Sequence, residues 1–371
     1  MSEADLKSLA TLVLWSAFGL SVLFGAIAQR THFCTMGAVA DIVTIGDWTR
    51  MRMWVMAMGV AVIGFNLMVS AGWLDAGKST YDGPRFIWLS AIVGGGLFGF
   101  GMVLASGCGS KTLVRIGGGS LKSLVVFIVL GVCAFATLKG ISAVARVATV
   151  DTIAVTLTGG QDLPSLFAAA TGFAKTTLAA VLGLAIGGVL IAWALAKAEG
   201  RSADSLLAGF GIGAVIAGVW YVSGRLGYVA EDPNTLQEAF IATNSGRMES
   251  FSFVAPFAYA LDWLMFFSDA SKRLTIGIVS VVGVVVGSAV YSVATKRFRW
   301  EGFRDAADTA NHLVGAALMG VGGVTALGCT VGQGLSGVST LSLTSFVAVG
   351  AIIVGAVAAL RLQMWRIERS A

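Results

Sequence analysis

Of 371 residues, 56% are hydrophobic and only 12% charged, and mean hydropathy is +0.84. A soluble domain carries about 25% charged residues, so this composition excludes a soluble globular protein and makes the bilayer the main solvent. The formal charge of +5 is small for the length and scattered between apolar runs, which excludes a nucleic-acid footprint.

The first apolar run covers 11–29. Its end, Ala26-Ile27-Ala28, resembles a signal-peptide cleavage site, but Glu3 and Asp5 stand against Lys7, so the positive leader is missing. A retained span is expected. Further runs of about 20 apolar residues fall at 51–74, 86–106, 120–139, 175–198, 204–223, 273–294, 309–328 and 341–361. Shorter apolar pieces near 33–46, 109–118, 251–267 and 330–339 are read as re-entrant or half-membrane helices. Polar stretches at about 140–174 and 225–250 are the sizeable loops. The expected fold is an all-α polytopic membrane protein, one membrane domain over 1–371, with about nine transmembrane helices and about four short helices. Four prolines and 49 glycines fit long helices packed on small residues.

Basic residues set the expected orientation. With the N-terminus outside, fifteen of the 25 basic residues fall on the cytoplasmic side, among them Arg30, Arg50, Lys111, Lys122 and the cluster Lys296 to Arg304. The C-terminus is then cytoplasmic.

An internal repeat organises the chain. A shift of 221 residues sets Gly94 over Gly315, Gly99 over Gly320, Gly101 over Gly322, and Gly107-Cys108 over Gly328-Cys329. A weaker match at a shift of 189 sets Ala28 over Ala217 and Cys34 over Ser223. Each half reads span, short piece, span, span, short piece, span. The halves are 11–140 and 204–364, joined by a linker with one connecting span at 141–203. That extra span makes the second half start on the opposite face, so the repeats are inverted. Inverted repeats with interrupted helices carry transport sites near the midplane.

The chemistry concentrates at the breaks. Gly107-Cys108-Gly109-Ser110-Lys111-Thr112 superficially resembles a phosphate-binding loop, but Ser110 replaces the second glycine and no strand precedes it. What remains is a helix break followed by a short helix, whose free N–H groups and dipole favour a small anion. Glycines allow close backbone approach. A thiol is a weak donor and a soft, polarizable group, suited to a sulfur-containing anion that must be released again. Cys34, Cys108 and Cys329 occupy such positions, while Cys133 sits mid-helix as filler. Gly107, Gly109 and Lys111 on one repeat, and Gly328, Thr330 and Gln333 on the other, are the candidate supporting residues. For Thr330 and Gln333 a local role in capping the break is an equal alternative. Isolated cysteines without a CxxC pair, and only two histidines, give no metal site. No cofactor and no enzyme activity are expected.

At these residues the chain resembles the YeeE/YedE sulfur-transport family, in GCGSKTLVRIGGGSLKSL (107–124), GCTVGQGLSG (328–337) and QRTHFCTMGAVAD (29–41). The resemblance spans essentially the whole chain. It implies an inner-membrane permease of hourglass shape whose best-understood branch takes up thiosulfate. It also implies that Cys34, Cys108 and Cys329 relay the anion by S–H hydrogen bonds, and that a small cytoplasmic sulfur-carrier protein is a partner. From the topology, Cys329 should lie nearest the outside and Cys34 nearest the cytoplasm, with Arg30 either drawing the anion inward or anchoring the membrane edge. A transporter or channel for sulfite, sulfate or selenite would share these features. Whether transport is coupled to an ion stays open, although Asp41, Asp262 and His312 lie close to the spans.

Overall fold

The computed structural model describes residues 3–157, 159–233, 235–269 and 271–370. In chain order these form α1 (Glu3–Thr31), α2 (Thr35–Ile45), α3 (Thr49–Ser70), α4 (Trp88–Leu104), α5 (Gly109–Gly117) and α6 (Leu121–Lys139). Then follow α7 (Ile141–Ala148), α8 (Leu163–Thr171), α9 (Lys175–Leu195), α10 (Ala203–Leu206) and α11 (Ile212–Tyr221). The last group is α12 (Ala255–Met265), α13 (Ile276–Ala294), α14 (Ala306–Thr325), a π-helical turn Gly332–Gly337, and α15 (Leu343–Ser370). π-helical turns also flank α11, so that Ala203–Leu226 is one continuous helical span. Two antiparallel strand pairs, 85–86 with 155–156 and 228–229 with 239–240, tie the loops.

Among the described residues, eight helical units are long and apolar enough to cross a membrane. α14 is a further 20-residue helix, more polar at its start, where Asp308 and His312 stand. These nine long helices fall on the nine expected spans, and the four short apolar pieces correspond to α2, α5, α12 and the π-helical turn. The chain is an all-α, multi-pass membrane protein. Bulky apolar side chains such as Trp15, Val189, Val290 and Val354 are more than half exposed on its flanks, the inversion that lipid allows. α9 is the most peripheral of these eight units, burying only Ala179, Gly183, Gly187 and Ala194 among the described residues.

Ion pairs separate the two faces. Lys78–Glu238 and Lys175–Asp162 lie on the face where α1 begins, called the N face; Arg30–Asp204, Arg52–Glu199 and Lys122–Glu301 lie on the other, the C face. α15 starts on the N face, where Leu343 N donates to Gln161 O at 3.1 Å, and runs away from it. The termini therefore lie on opposite faces.

Packing follows a paired rule. α4 packs on α15 and α14 on α6; α1 on α13 and α11 on α3; α2 on α15 and α12 on α6; α5 on α13 and the π-helical turn on α3. Exchanging α1 with α11, α2 with α12, α3 with α13, α4 with α14, α5 with the π-helical turn and α6 with α15 maps these contacts onto themselves. α4 and α14 cross each other on the axis of that exchange, through glycines. A side chain on Gly94 would stand 2.6 Å from Gly322 O, and one on Gly315 would stand 2.6 Å from Gly101 O. Glycine is required there because the backbones touch. In this scheme the partner of α2 is α12, also 11 residues long. The position matching Cys34 is thus Val254, the N-cap of α12, and not Ser223, which continues the α11 span. The insertion of 227–250 hides this from a fixed shift.

Candidate functional site

Three helices end in the same way just before a cysteine. His32, Ser106 and Leu327, each two residues ahead of Cys34, Cys108 and Cys329, have φ of 53°, 55° and 58°. The next residue in each case returns its N–H to a carbonyl five positions back: Phe33 to Ala28, Gly107 to Met102 and Gly328 to Gly323, at 3.2, 2.8 and 2.8 Å. This is the left-handed helix stop that satisfies the last carbonyls of α1, α4 and α14. None of the three left-handed residues is glycine, so each stop holds local strain.

The cysteine then opens the following element. Cys34 is the N-cap of α2 and its Sγ accepts from Gly37 N at 3.4 Å. Cys108 is the N-cap of α5, with its Sγ 3.3 Å from Ser110 Oγ. Cys329 Sγ accepts from Gly332 N at 3.4 Å and from Phe253 N at 3.3 Å, one residue before the N-cap of α12. Four short helical elements therefore aim their N-termini at three thiols, and their dipoles add positive potential around them.

The structure brings the three thiols together. Cys34 and Cys108 are within hydrogen-bonding reach of each other, and Cys108 lies in the field of Cys329. All three are buried, and none is in a disulfide among the described residues. Thr330 Oγ1 is buried, comes within reach of the Cys108 thiol and has no other hydrogen-bond partner among the described residues. Gly109 provides close approach, since a side chain there would meet Phe253 O at 2.4 Å. Gly107 and Gly328 are the second residues of their helix stops. Gln333 is turned away from the thiols: its amide donates to Ala326 O and accepts from Ser345 Oγ, bracing the break after α14. Cys133 stands apart on α6, its Cβ against Gly320 of α14.

A cavity lies on each face of the molecule near this cluster. The N-face cavity, of about 280 Å³, reaches Ser252 and Gly328 beside Cys329. At its floor Tyr81 and Ser252 crowd Gly332, whose added side chain would meet Ser252 Oγ at 2.6 Å and Tyr81 Oη at 3.2 Å. The C-face cavity is lined by His32, Arg50, Lys111 and their neighbours. Lys111 makes no ion pair among the described residues and lies within electrostatic reach of Cys34 and Cys108. Arg50 pairs with Asp41 at 2.6 Å and occupies the space left by the missing side chain of Gly37. Arg30, by contrast, reaches sideways to Asp204 at 3.3 Å; its side chain serves the C-face edge and not the thiols. Asp262 pairs with Lys272 and His312 with Asp308, so neither lines the cluster.

Phe253, Tyr81, Ser252 and Arg50 are not among the site candidates that the sequence offers. Three of them belong to connecting segments with no periodicity to mark them, and Arg50 reads as an ordinary membrane-edge cation.

A family model described as sulphur transport matches residues 30–358. The chain belongs to the sulphur transport family. Membership makes it a transporter and not an enzyme. Among curated relatives, the thiosulfate transporter TsuA of Escherichia coli (strain K12) is 28% identical over 353 residues, covering 94% of each chain. TsuA of Spirochaeta thermophila is 24% identical over 356 residues, covering 91% of this chain and 94% of the relative. The probable transporter YedE of Salmonella typhimurium is 32% identical over 112 residues, 29% of this chain and 26% of the relative. All three helix stops lie within the region that the sulphur transport family matches.

Proposed function

We propose that this protein is an inner-membrane permease that imports a small sulfur-containing anion, thiosulfate foremost, by passing it from Cys329 to Cys108 to Cys34. The observation that carries this reading is the convergence of three like-built helix breaks, each presenting a thiol, between two mouths on opposite faces. Helix N-termini supply positive potential without a fixed charge at the centre, so the anion is attracted yet free to leave. The thiols donate weak S–H hydrogen bonds to the terminal sulfur of thiosulfate, a soft acceptor.

By the excess of basic residues on the C face, the N face is outside and the C face cytoplasmic. The two halves, 11–140 and 204–364 with the linker 141–203, act as inverted repeats; the exchange of packing partners supports this. Lys111 draws the anion toward the C-face mouth, Thr330 offers its free hydroxyl beside Cys108, and Gly107, Gly109 and Gly328 keep the backbone close. Gln333 holds the break in shape. A small sulfur-carrier protein on the cytoplasmic side would take the anion as it leaves.

Growth on thiosulfate as sole sulfur source tests the reading. Alanine at Cys34, Cys108 or Cys329 should abolish growth while Cys133→Ala grows as the parent. If all three variants are inserted in the membrane and grow normally, the relay is wrong. Competition with sulfite, sulfate and selenite distinguishes a thiosulfate carrier, which those ions compete with weakly, from a general oxyanion pathway.

A further inference from the structure

Glu249 is a carboxylate in the entry path of an anion. It lines the N-face cavity, where it is the sole acidic residue, and makes no ion pair among the described residues. Its carboxyl accepts from Ser245 Oγ at 3.3 Å and from the backbone N–H of Asn244, both neutral donors. Arg247, two residues away and lining the same cavity, makes no ion pair with it among the described residues: that guanidinium donates instead to the carbonyls of Ser79, Asp82 and Gly77 at 3.0, 2.7 and 3.2 Å. The other titratable groups facing Glu249 are Tyr81, from the loop after α3, Tyr259 of α12, and Cys329 beyond Tyr81, and none of these is a cation.

The position is also fixed. Glu249 N donates to Ser223 Oγ at 3.0 Å, and the same hydroxyl donates back to Glu249 O. From there the extended segment runs inward: Ser250 bonds Ile216 O, Phe251 O accepts from Ser336, and Phe253 N donates to Cys329 Sγ. Glu249 stands at the outer end of a short, tightly held strip of backbone whose inner end is the first thiol.

We infer that Glu249 is the entry-selecting residue of this transporter: as a neutral acid it admits the anion and donates a hydrogen bond to it, and as a carboxylate it repels it. The inference rests on the transport reading above. Burial pushes the Glu249 carboxyl up to about 7, so the neutral form fills below that pH and empties above it. Uptake should therefore weaken as the outside becomes alkaline.

The test is initial-rate uptake of radiolabelled thiosulfate into cells over an external pH range of about 5.5 to 8.5, with membrane levels measured in parallel. For the wild type, KM should rise about tenfold between pH 6 and pH 8, as a single carboxyl titrating midway requires. Glu249→Gln should flatten the profile at the low-KM end, and Glu249→Asp should keep a pH dependence with its midpoint moved to lower pH. If Glu249→Gln does not reach the membrane, the Glu249→Asp midpoint decides, and an unmoved midpoint overturns the inference. A Glu249→Gln profile identical to the wild type overturns it outright and leaves the transport reading intact. No uptake by the wild type at any pH overturns both.

Discussion

The left-handed residue ahead of each thiol is an expensive way to stop a helix. A non-glycine residue in this region costs on the order of 1–2 kcal/mol, and the chain does so at His32, Ser106 and Leu327 alike. The stop fixes the direction in which the cysteine leaves the helix, so the strain sits where thiol placement matters most. Ser106 allows a clean test. Glycine at this position should hold or raise thermal stability in detergent, because the left-handed conformation is then unstrained. Valine, β-branched and stiff, should lower stability by about 1–3 kcal/mol. Equal melting temperatures for Ser106→Gly and Ser106→Val would remove the strain. None of this was legible in the residues, since glycine is the usual signal for a left-handed stop and here it stands one position later, at Gly107 and Gly328.

The crossing of α4 and α14 is where the sequence spoke most directly. Gly94, Gly101, Gly315 and Gly322 were matched by alignment alone, and the structure sets Gly94 against Gly322 and Gly101 against Gly315 with backbone contact. Leucine at Gly94 or Gly322 should force the helices apart and cost about 3 kcal/mol or more, beyond the usual 1–3 kcal/mol of overpacking because the obstacle is backbone. Reduced amounts of monodisperse protein after extraction would report this, while normal yield would place the crossing elsewhere. The loops are a different case. Asp82 and Asp162 are both buried on the N face and share Lys175, at 3.8 and 3.2 Å. Burial first, and then the Asp162 charge, push the Asp82 carboxyl up to about 6. The folded chain therefore binds a proton more tightly than the unfolded one, whose carboxyl titrates near 4. Stability from this group is greatest below about pH 4 and is lost as pH rises through 6. Melting temperature in detergent should fall between pH 5 and pH 7, and Asp82→Asn should remove that slope; an unchanged slope in the variant would assign it to another group. This pair escaped the sequence reading because the two carboxylates are 80 residues apart and meet only through loop packing.

For the whole molecule, nine long helices with four short ones were readable because bilayer thickness fixes the length of a crossing segment. Placement of Cys108 and Cys329 at equivalent breaks was readable from the shift of 221. The partner of Cys34 was not, because 227–250 separates α11 from α12 and moves the matching position to Val254. Missing too were Phe253, Tyr81 and Glu249, which stand far from Cys329 in the chain (76 residues in the case of Phe253) and approach it only through the fold. Lys111 lies within electrostatic reach of Cys34 and Cys108, whereas Arg30 is paired with Asp204 and the Gln333 amide is bonded to Ala326 and Ser345. In the proposed relay Cys108 is the middle thiol, within hydrogen-bonding reach of Cys34 and electrostatic reach of Cys329. Initial-rate thiosulfate flux into proteoliposomes of purified Cys108→Ala, against the wild type at equal reconstitution, tests that point most directly. A loss of tenfold or more, on the order of 1.4 kcal/mol or greater in transport barrier, is the expected result. Flux equal to the wild type would contradict the passage of the anion across that thiol.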